Sequence, residues 1–178
     1  LDGSLGVGSI PIDETNKCQF GALDIDDYSL DLPVLLAKVK RFKLPLVMCR
    51  SKSGGAHLFL FMSERVAASE MRDRLAEFAS ALGWGNCEIF PKQEELLAER
   101  GDVGNFINLP YQNAKYTTRY ALKKNGDSMS LAEFLTAAEK ARVTAKQLAN
   151  ISLGGDNGVL PDGPPCLQQL TEFGTPEG

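Results

Sequence analysis

The stretch PLVMCRSKSGGAHLFLFM, residues 45–62, decides the fold. Its two apolar runs, residues 45–50 and 57–62, are typical of β-strands, and the Gly-rich turn SKSGGA separates them. Strands joined by so short a connection pair antiparallel, here as a hairpin with an enlarged loop. The stretch therefore predicts part of an antiparallel or mixed sheet.

Further elements follow outward from this hairpin. Apolar and acidic residues alternate in QFGALDID, residues 19–26, which predicts a strand, and helical spacing predicts a helix that begins after Asp31. A second helix fits residues 66–82, with Gly83 as its C-cap. The remaining elements are a short strand at 87–90, a loop at 92–104, candidate strands at 106–109 and 119–122, a turn at Asn125-Gly126, and capping boxes at Ser130/Glu133 and Thr144/Gln147. Because strands and helices mix without regular alternation, we expect an α+β domain with helices on one face of the sheet.

Composition limits the classes of protein that the chain can belong to. Its 178 residues suit one domain or two closely fused subdomains, and 43% hydrophobic residues suffice for a core. We see neither a signal-like start nor an apolar run of the roughly 20 residues that span a membrane, and four widely spaced cysteines suggest reduced thiols in a cytoplasm. Because the chain starts with Leu1, we interpret it as a piece of a longer protein.

Charge is unevenly distributed along the chain. The net charge of -4 argues weakly against a simple nucleic-acid coat protein. Residues 38–52, however, contain six basic and no acidic residues, and residues 115–124 contain four basic and no acidic ones. For Lys38 to Lys43, a solvated surface and a phosphate-contacting face both remain open.

Two acidic residues share one face of the first predicted strand. Asp24 and Asp26 are two positions apart, so their carboxylates project side by side and repel each other. A divalent cation would relieve this repulsion, and Mg²⁺ is typically held by one or two carboxylates together with substrate phosphates. The alternative is the wet face of an edge strand.

The hairpin loop has the composition of a phosphate-binding loop. Gly54 and Gly55 allow close approach of the backbone to a ligand, Arg50 and Lys52 add positive charge, and His57 is the only histidine of the chain. The alternative is an ordinary Gly-Gly hairpin followed by a core histidine.

Polar residues in the later strands are further candidates. Glu88 lies among apolar residues, where a buried carboxylate needs a partner or a metal, unless it faces water at a strand edge. Lys92 and Arg119 can contact phosphate, and Asn105 and Asn108 can bind a sugar, a phosphate or neighbouring backbone. The tyrosines that either stack on bases or pack as ordinary aromatics are Tyr111, Tyr116 and Tyr120.

Three of these motifs occur in the order that the archaeo-eukaryotic primase superfamily shows. Asp24 and Asp26 match its DxD, Gly55-Ala56-His57 matches its small-x-His, and Glu88 matches its third acid. The longer strings SKSGGAHLFLF, EIFPKQ and GDVGNFINLPY resemble the phage and mobile-element branch, which includes the primase domains of TOTE conflict systems. The resemblance covers roughly residues 19–170; it departs in having Glu where many members have Asp, and in lacking a zinc-binding insertion.

The resemblance implies a small α/β module packed on an RNA-recognition-motif-like palm, with the active site in the cleft between them. It implies a DNA primase-polymerase that acts on a single-stranded DNA template, a primer and nucleoside triphosphates, through two Mg²⁺ or Mn²⁺ ions held by Asp24, Asp26 and Glu88. The implied nucleotide-binding residues are Arg50, Ser51, Lys52, Ser53, Gly54, Gly55, His57, Lys92, Asn108 and Arg119.

The resemblance also divides the chain. Residues 1–18 would be a disordered or cloning-derived lead, 19–151 the catalytic domain, and 152–178 a Gly/Pro-rich linker to a C-terminal primase extension or a helicase. We expect a cytoplasmic protein of a bacterial host, phage- or plasmid-encoded, without a membrane partner. Two other functions stay open: a metal-dependent nuclease that uses the same carboxylates, and a non-catalytic nucleic-acid-binding domain.

Overall fold

The computed structural model describes residues 5–97, 99, 101–113 and 116–153. Its strands are β1 (Gly8–Ser9), β2 (Lys17–Ile25), β3 (Leu46–Arg50), β4 (Ala56–Ala67), β5 (Glu88–Phe90) and β6 (Ile107–Asn108). Its helices are α1 (Leu32–Arg41), α2 (Ala68–Leu82), α3 (Leu131–Lys140) and α4 (Ala145–Ala149). None of the helices within these residues is long and apolar enough to cross a membrane.

The main sheet has the order β3-β4-β2-β5, and all of its strand pairs are antiparallel. Helix α1 connects β2 to β3, and α2 connects β4 to β5, which gives a β-α-β-β-α-β unit. This is the ferredoxin-like topology, and a four-stranded sheet of this kind is the platform of RNA-recognition domains. A second sheet pairs β1 with β6. The α+β class, the antiparallel sheets and the flanking helices predicted from sequence are confirmed.

One face of the main sheet packs against α1 and α2. The buried stripe of α2 consists of Met71, Leu75, Phe78 and Leu82, as its helical spacing predicts. It lies in one core with alternate sheet residues such as Leu23 and Leu58. Asp31 is the N-cap of α1, and its carboxylate accepts a hydrogen bond from Val34 N. Gly83, with φ 85°, is the C-cap of α2.

The chain that follows β5 covers much of the opposite face. Ala22, Val47, Phe59 and Phe90 of the sheet form a second core with Ile107, Tyr111, Ala121 and Phe134. The Tyr111 hydroxyl donates to the carbonyl of Met129 at 2.9 Å and accepts from the amide of Ala121 at 3.0 Å. Burial raises the pKa of Tyr111 to about 12. Tyr111 is therefore a packed residue, and base stacking does not apply to it.

Several boundaries differ from the expectations. Strand β1 lies inside the segment expected to be a disordered or cloning-derived lead, and Ile12 in that segment is buried; residues 8–9 pair with a distant strand, so the lead is ordered there. The strand expected at 119–122 is reduced to isolated bridges at Ala121 and Leu122, since it lies along only part of β3. Most of the expected linker, residues 154–178, lies outside the described residues.

Candidate nucleotide-binding site

The register of the main sheet brings the three predicted motifs together. Asp24 of β2 is directly opposite His57 of β4 on one side and Glu88 of β5 on the other. Because opposite residues of antiparallel strands project from the same face, the three side chains form a row across the sheet. The row lies at one end of the face that α1 and α2 do not cover, beyond the aromatic core around Phe59.

The carboxylate of Asp24 has unused hydrogen-bonding capacity. Its Oδ1 lies 3.2 Å from His57 Nε2, and the two side chains are 17% and 12% exposed. This contact lacks the geometry of a hydrogen bond, so Asp24 Oδ1 is buried without a hydrogen-bond donor from the described residues. A buried carboxylate oxygen in this state favours a bound cation or a ligand hydroxyl.

The hairpin loop folds back onto the strand end that carries both aspartates. The amide of Ser51 donates to the carbonyl of Gly55 at 2.9 Å, and Gly54 turns the loop with φ 105°. A Cβ on Gly55 would lie 2.0 Å from the main-chain oxygen of Ile25, so the close approach requires glycine. Ser53 Oγ donates to Asp26 Oδ1 at 3.3 Å, which links the loop to the second aspartate.

A cavity of about 360 Å³ opens between this loop and the row of side chains. We call it the cationic cavity, and its lining residues are Asp24, Asp26, Ser51, Lys52, Ser53, His57, Asn108 and Arg119. All eight are among the predicted site residues. Arg119 Nη1 is buried and has no hydrogen-bond acceptor within the part of the chain that the structure describes. The wall of this cavity thus contains one carboxylate oxygen and one guanidinium nitrogen that make no hydrogen bond within the described residues.

The structure places other predicted residues outside the cationic cavity. Arg50 donates to the carbonyl of Thr118 at 3.2 Å. Of the two alternatives for Glu88, the structure shows the exposed strand edge: its side chain is 56% exposed on the short edge strand and pairs with Lys92 at 2.8 Å. Lys92 also lies over the Phe90 ring, so it faces a carboxylate rather than the loop. Asn105 accepts a hydrogen bond from Gln93, which satisfies it within the protein.

A second cavity, of about 430 Å³, lies on the other side of the two aspartates. We call it the Trp84 cavity; it is lined by Asp24, Ile25, Asp26, Asp27, Gly83, Trp84, Gly85, Asn86, Cys87 and Glu88. Burial, and then the nearby Asp24, raise the pKa of the Cys87 thiol to about 11, so this thiol is neutral at pH 7. Neither Trp84 nor Asn86 was predicted as a site residue, although the only tryptophan of the sequence, between two glycines, is a visible signal.

Asp24, Asp26 and Glu88 are the carboxylates that the resemblance assigns to Mg²⁺ or Mn²⁺, and their positions show which of them fit such a site. No three His, Cys, Asp or Glu side chains among the described residues stand close enough together to hold a metal ion, and Glu88 is paired with Lys92. Mg²⁺, however, usually takes one or two carboxylates and completes its shell with water and substrate phosphates. Asp24, with its unfilled Oδ1, and Asp26 fit this incomplete type of site.

The main sheet has the antiparallel arrangement, with helices on one face, of RNA-recognition domains, and the cationic cavity opens at one end of its other face. The chain belongs to the family described as "TOTE conflict system, Archaeo-Eukaryotic Primase domain", which matches residues 1–145. This is a family of primase-like nucleotidyltransferases, whose domains generally use divalent metals. No curated protein matches the chain.

Proposed function

We propose that the chain is a template-dependent nucleotidyltransferase, a DNA primase-polymerase that makes or extends primers in the replication of a phage, a plasmid or another mobile element. One observation carries this proposal. The buried atoms Asp24 Oδ1 and Arg119 Nη1 belong to residues that line the same cavity and have opposite charge, and neither atom has a hydrogen-bond partner within the described residues; the nearest nitrogen to Asp24 Oδ1 is His57 Nε2, at 3.2 Å. A nucleoside triphosphate with a bound divalent cation supplies both missing partners, since it offers a cation to the carboxylate and phosphate oxygens to the guanidinium.

The remaining walls of the cationic cavity support a triphosphate ligand. Lys52, His57 and Arg119 present donors or positive charge, and Ser51 and Ser53 present hydroxyl groups. The ring of His57 is also held against Phe59, edge to face, with centroids 6.0 Å apart. This packing orients the imidazole toward the cavity before a nucleotide binds.

The proposed reaction joins a primer 3′-hydroxyl to the α-phosphate of the incoming nucleotide. The hydroxyl oxygen forms a bond to phosphorus, the bond from phosphorus to the bridging oxygen breaks, and pyrophosphate leaves with the electron pair while the hydroxyl proton passes to water. Asp24 and Asp26, with Glu88 at the sheet edge, would hold divalent cations, Mg²⁺ or Mn²⁺, which would supply activation of the hydroxyl and charge neutralisation of the leaving pyrophosphate. Arg119 and Lys52 hold the triphosphate chain in line with the attacking oxygen.

The test is primer extension and de novo dinucleotide synthesis on a single-stranded DNA template, with Mg²⁺ or Mn²⁺. The double variant Asp24→Ala/Asp26→Ala should lose both activities by at least ~100-fold, because cation binding and charge stabilisation in the transition state are lost. The matched control is Asp73→Ala/Asp102→Ala, which removes the same charge from exposed positions and should stay active. Full activity of the first double variant would contradict the proposal.

The same assay separates the other two functions. A nuclease that uses these carboxylates to activate water would cleave the strand without any nucleoside triphosphate, and it leaves the cationic loop around His57 without a role. A non-catalytic binding domain would retain the template but incorporate nothing. Either result would replace the proposed activity.

A further inference from the structure

The Trp84 cavity and the cationic cavity meet at the two aspartates. Asp24 and Asp26 line both cavities, and among the described residues they are the only shared lining. Ligands bound in the two cavities would therefore face each other across these carboxylates. This is the relation that two reacting groups need if the aspartates hold the ions between them.

The charge of the two cavities differs sharply. The cationic cavity contains Lys52, His57 and Arg119, whereas none of the described residues that line the Trp84 cavity is Lys or Arg. The Trp84 cavity adds Asp27 and Glu88 to the shared aspartates. Two ammonium groups lie beside it without lining it: Lys92 pairs with Glu88 at 2.8 Å, and Lys38 donates to the carbonyl of Leu82 at 3.4 Å, so the acids of the wall still outnumber the cations near it. Such a wall repels a triphosphate but accepts a neutral sugar and base, whose hydroxyl groups can donate to carboxylates.

The loop that forms the Trp84 cavity is anchored at both ends. The amide of Trp84 donates to the carbonyl of Ala79 at 2.7 Å, and the amide of Cys87 donates to the carbonyl of Trp84 at 3.0 Å. The indole is partly buried against the core of α2 and also lines the cavity, where Asn86 offers an exposed amide. An aromatic face held in this way, beside an amide, is suited to stacking on a base and hydrogen bonding to its edge.

We infer that the Trp84 cavity binds the 3′-terminal nucleoside of the primer, or the first nucleoside in de novo synthesis, with its base against Trp84 and its 3′-hydroxyl toward Asp24 and Asp26. This inference rests on the proposed nucleotidyl transfer. It assigns Trp84 a positioning role for the primer, while the cationic cavity takes the incoming triphosphate.

The kinetic test compares two substitutions that preserve different parts of the side chain. Trp84→Leu keeps apolar packing against the core but removes the aromatic face, and it should raise the KM for primer–template about 10-fold. The KM for the nucleotide should change less than about 2-fold, since its cavity is separate, and Trp84→Phe should restore most of the primer affinity. An unchanged primer KM, or an equal rise in both KM values, would overturn the inference.

A binding test needs no catalysis, because Trp84 is the only tryptophan of the chain and its fluorescence reports on this cavity. A primer–template with a recessed 3′ end should quench the emission, whereas a nucleoside triphosphate alone should leave it unchanged. Quenching by the triphosphate and not by the 3′ end would reverse the assignment. If the 3′ end quenches the emission but no nucleotide is ever joined, the proposed nucleotidyl transfer is wrong and the Trp84 cavity still binds a 3′ end. If primer extension proceeds and Trp84→Leu has the same primer KM as the wild type, the assignment of the Trp84 cavity is wrong and the proposed function is retained.

Discussion

Gly55→Ala is the most direct test of how the hairpin loop and the carboxylate strand depend on each other. The added Cβ would lie 2.0 Å from the main-chain oxygen of Ile25, and ordinary van der Waals contact begins at 3.4 Å. The loop and the end of β2 would have to separate by about 1.4 Å. Because Ile25 lies between Asp24 and Asp26, this separation moves the aspartates relative to Ser53 and the cationic cavity.

A displacement of ~1 Å in an active site costs on the order of 100-fold in rate, so kcat/KM for nucleotide incorporation should fall by about this factor. The overpacking should also destabilise the fold by about 1–3 kcal/mol. Gly126→Ala is the matched control: its φ of 94° strains an alanine by about 1–2 kcal/mol, but nothing lies within 4 Å of the new Cβ. Primer extension by both variants, measured well below their melting temperatures, separates lost stability from lost geometry. Activity of Gly55→Ala equal to that of Gly126→Ala would refute the reasoning.

Two predictions concern stability. Phe78→Ala should lower the free energy of unfolding by about 3–5 kcal/mol in urea titrations, because Phe78 is fully buried, whereas Leu135→Ala, at a 59% exposed position, should change it by less than about 0.5 kcal/mol. The ion pair with Lys123 and the capping box hold the pKa of Glu133 at about 2, below its ordinary 4.5. The ionised Glu133 side chain therefore stabilises the fold fully above pH 4.5, and this stabilisation is lost as the pH falls through about 2. The difference in Tm between the wild type and Glu133→Gln should therefore be present at pH 6 and disappear near pH 2; a difference that is equal at both values would contradict this cause.

Local sequence patterns were enough for the elements that build the main sheet. The alternation around Asp24, the hairpin stretch and the stripe of α2 depend on residues close together in the chain, and their periods match the geometry of strands and helices. The end of β4 was missed, since Ser63, Glu64 and Arg65 are exposed and interrupt the apolar pattern although the strand runs to Ala67.

The parts that could not be predicted depend on distant pairing. Strand β1 consists of two small residues, Gly8 and Ser9, whose pairing with β6 leaves no local pattern. The order of the motifs indicated that Asp24, His57 and Glu88 belong together, but only the register shows them in one row. The exposure of Glu88 follows from the position of β5 at the sheet edge, which an apolar strand pattern does not reveal.

Strand β5 contributes only three residues and has a single neighbour, β2. Few main-chain hydrogen bonds join it to β2, and its main anchor is Phe90, which is 4% exposed in the second core. Glu88 thus lies on a short edge strand, whereas Asp24 lies on β2, which has a neighbour on each side, and Asp26 follows directly after the end of β2. With its side chain 56% exposed at this edge, Glu88 has more room to change its rotamer than Asp24, whose side chain is 17% exposed between two neighbouring strands.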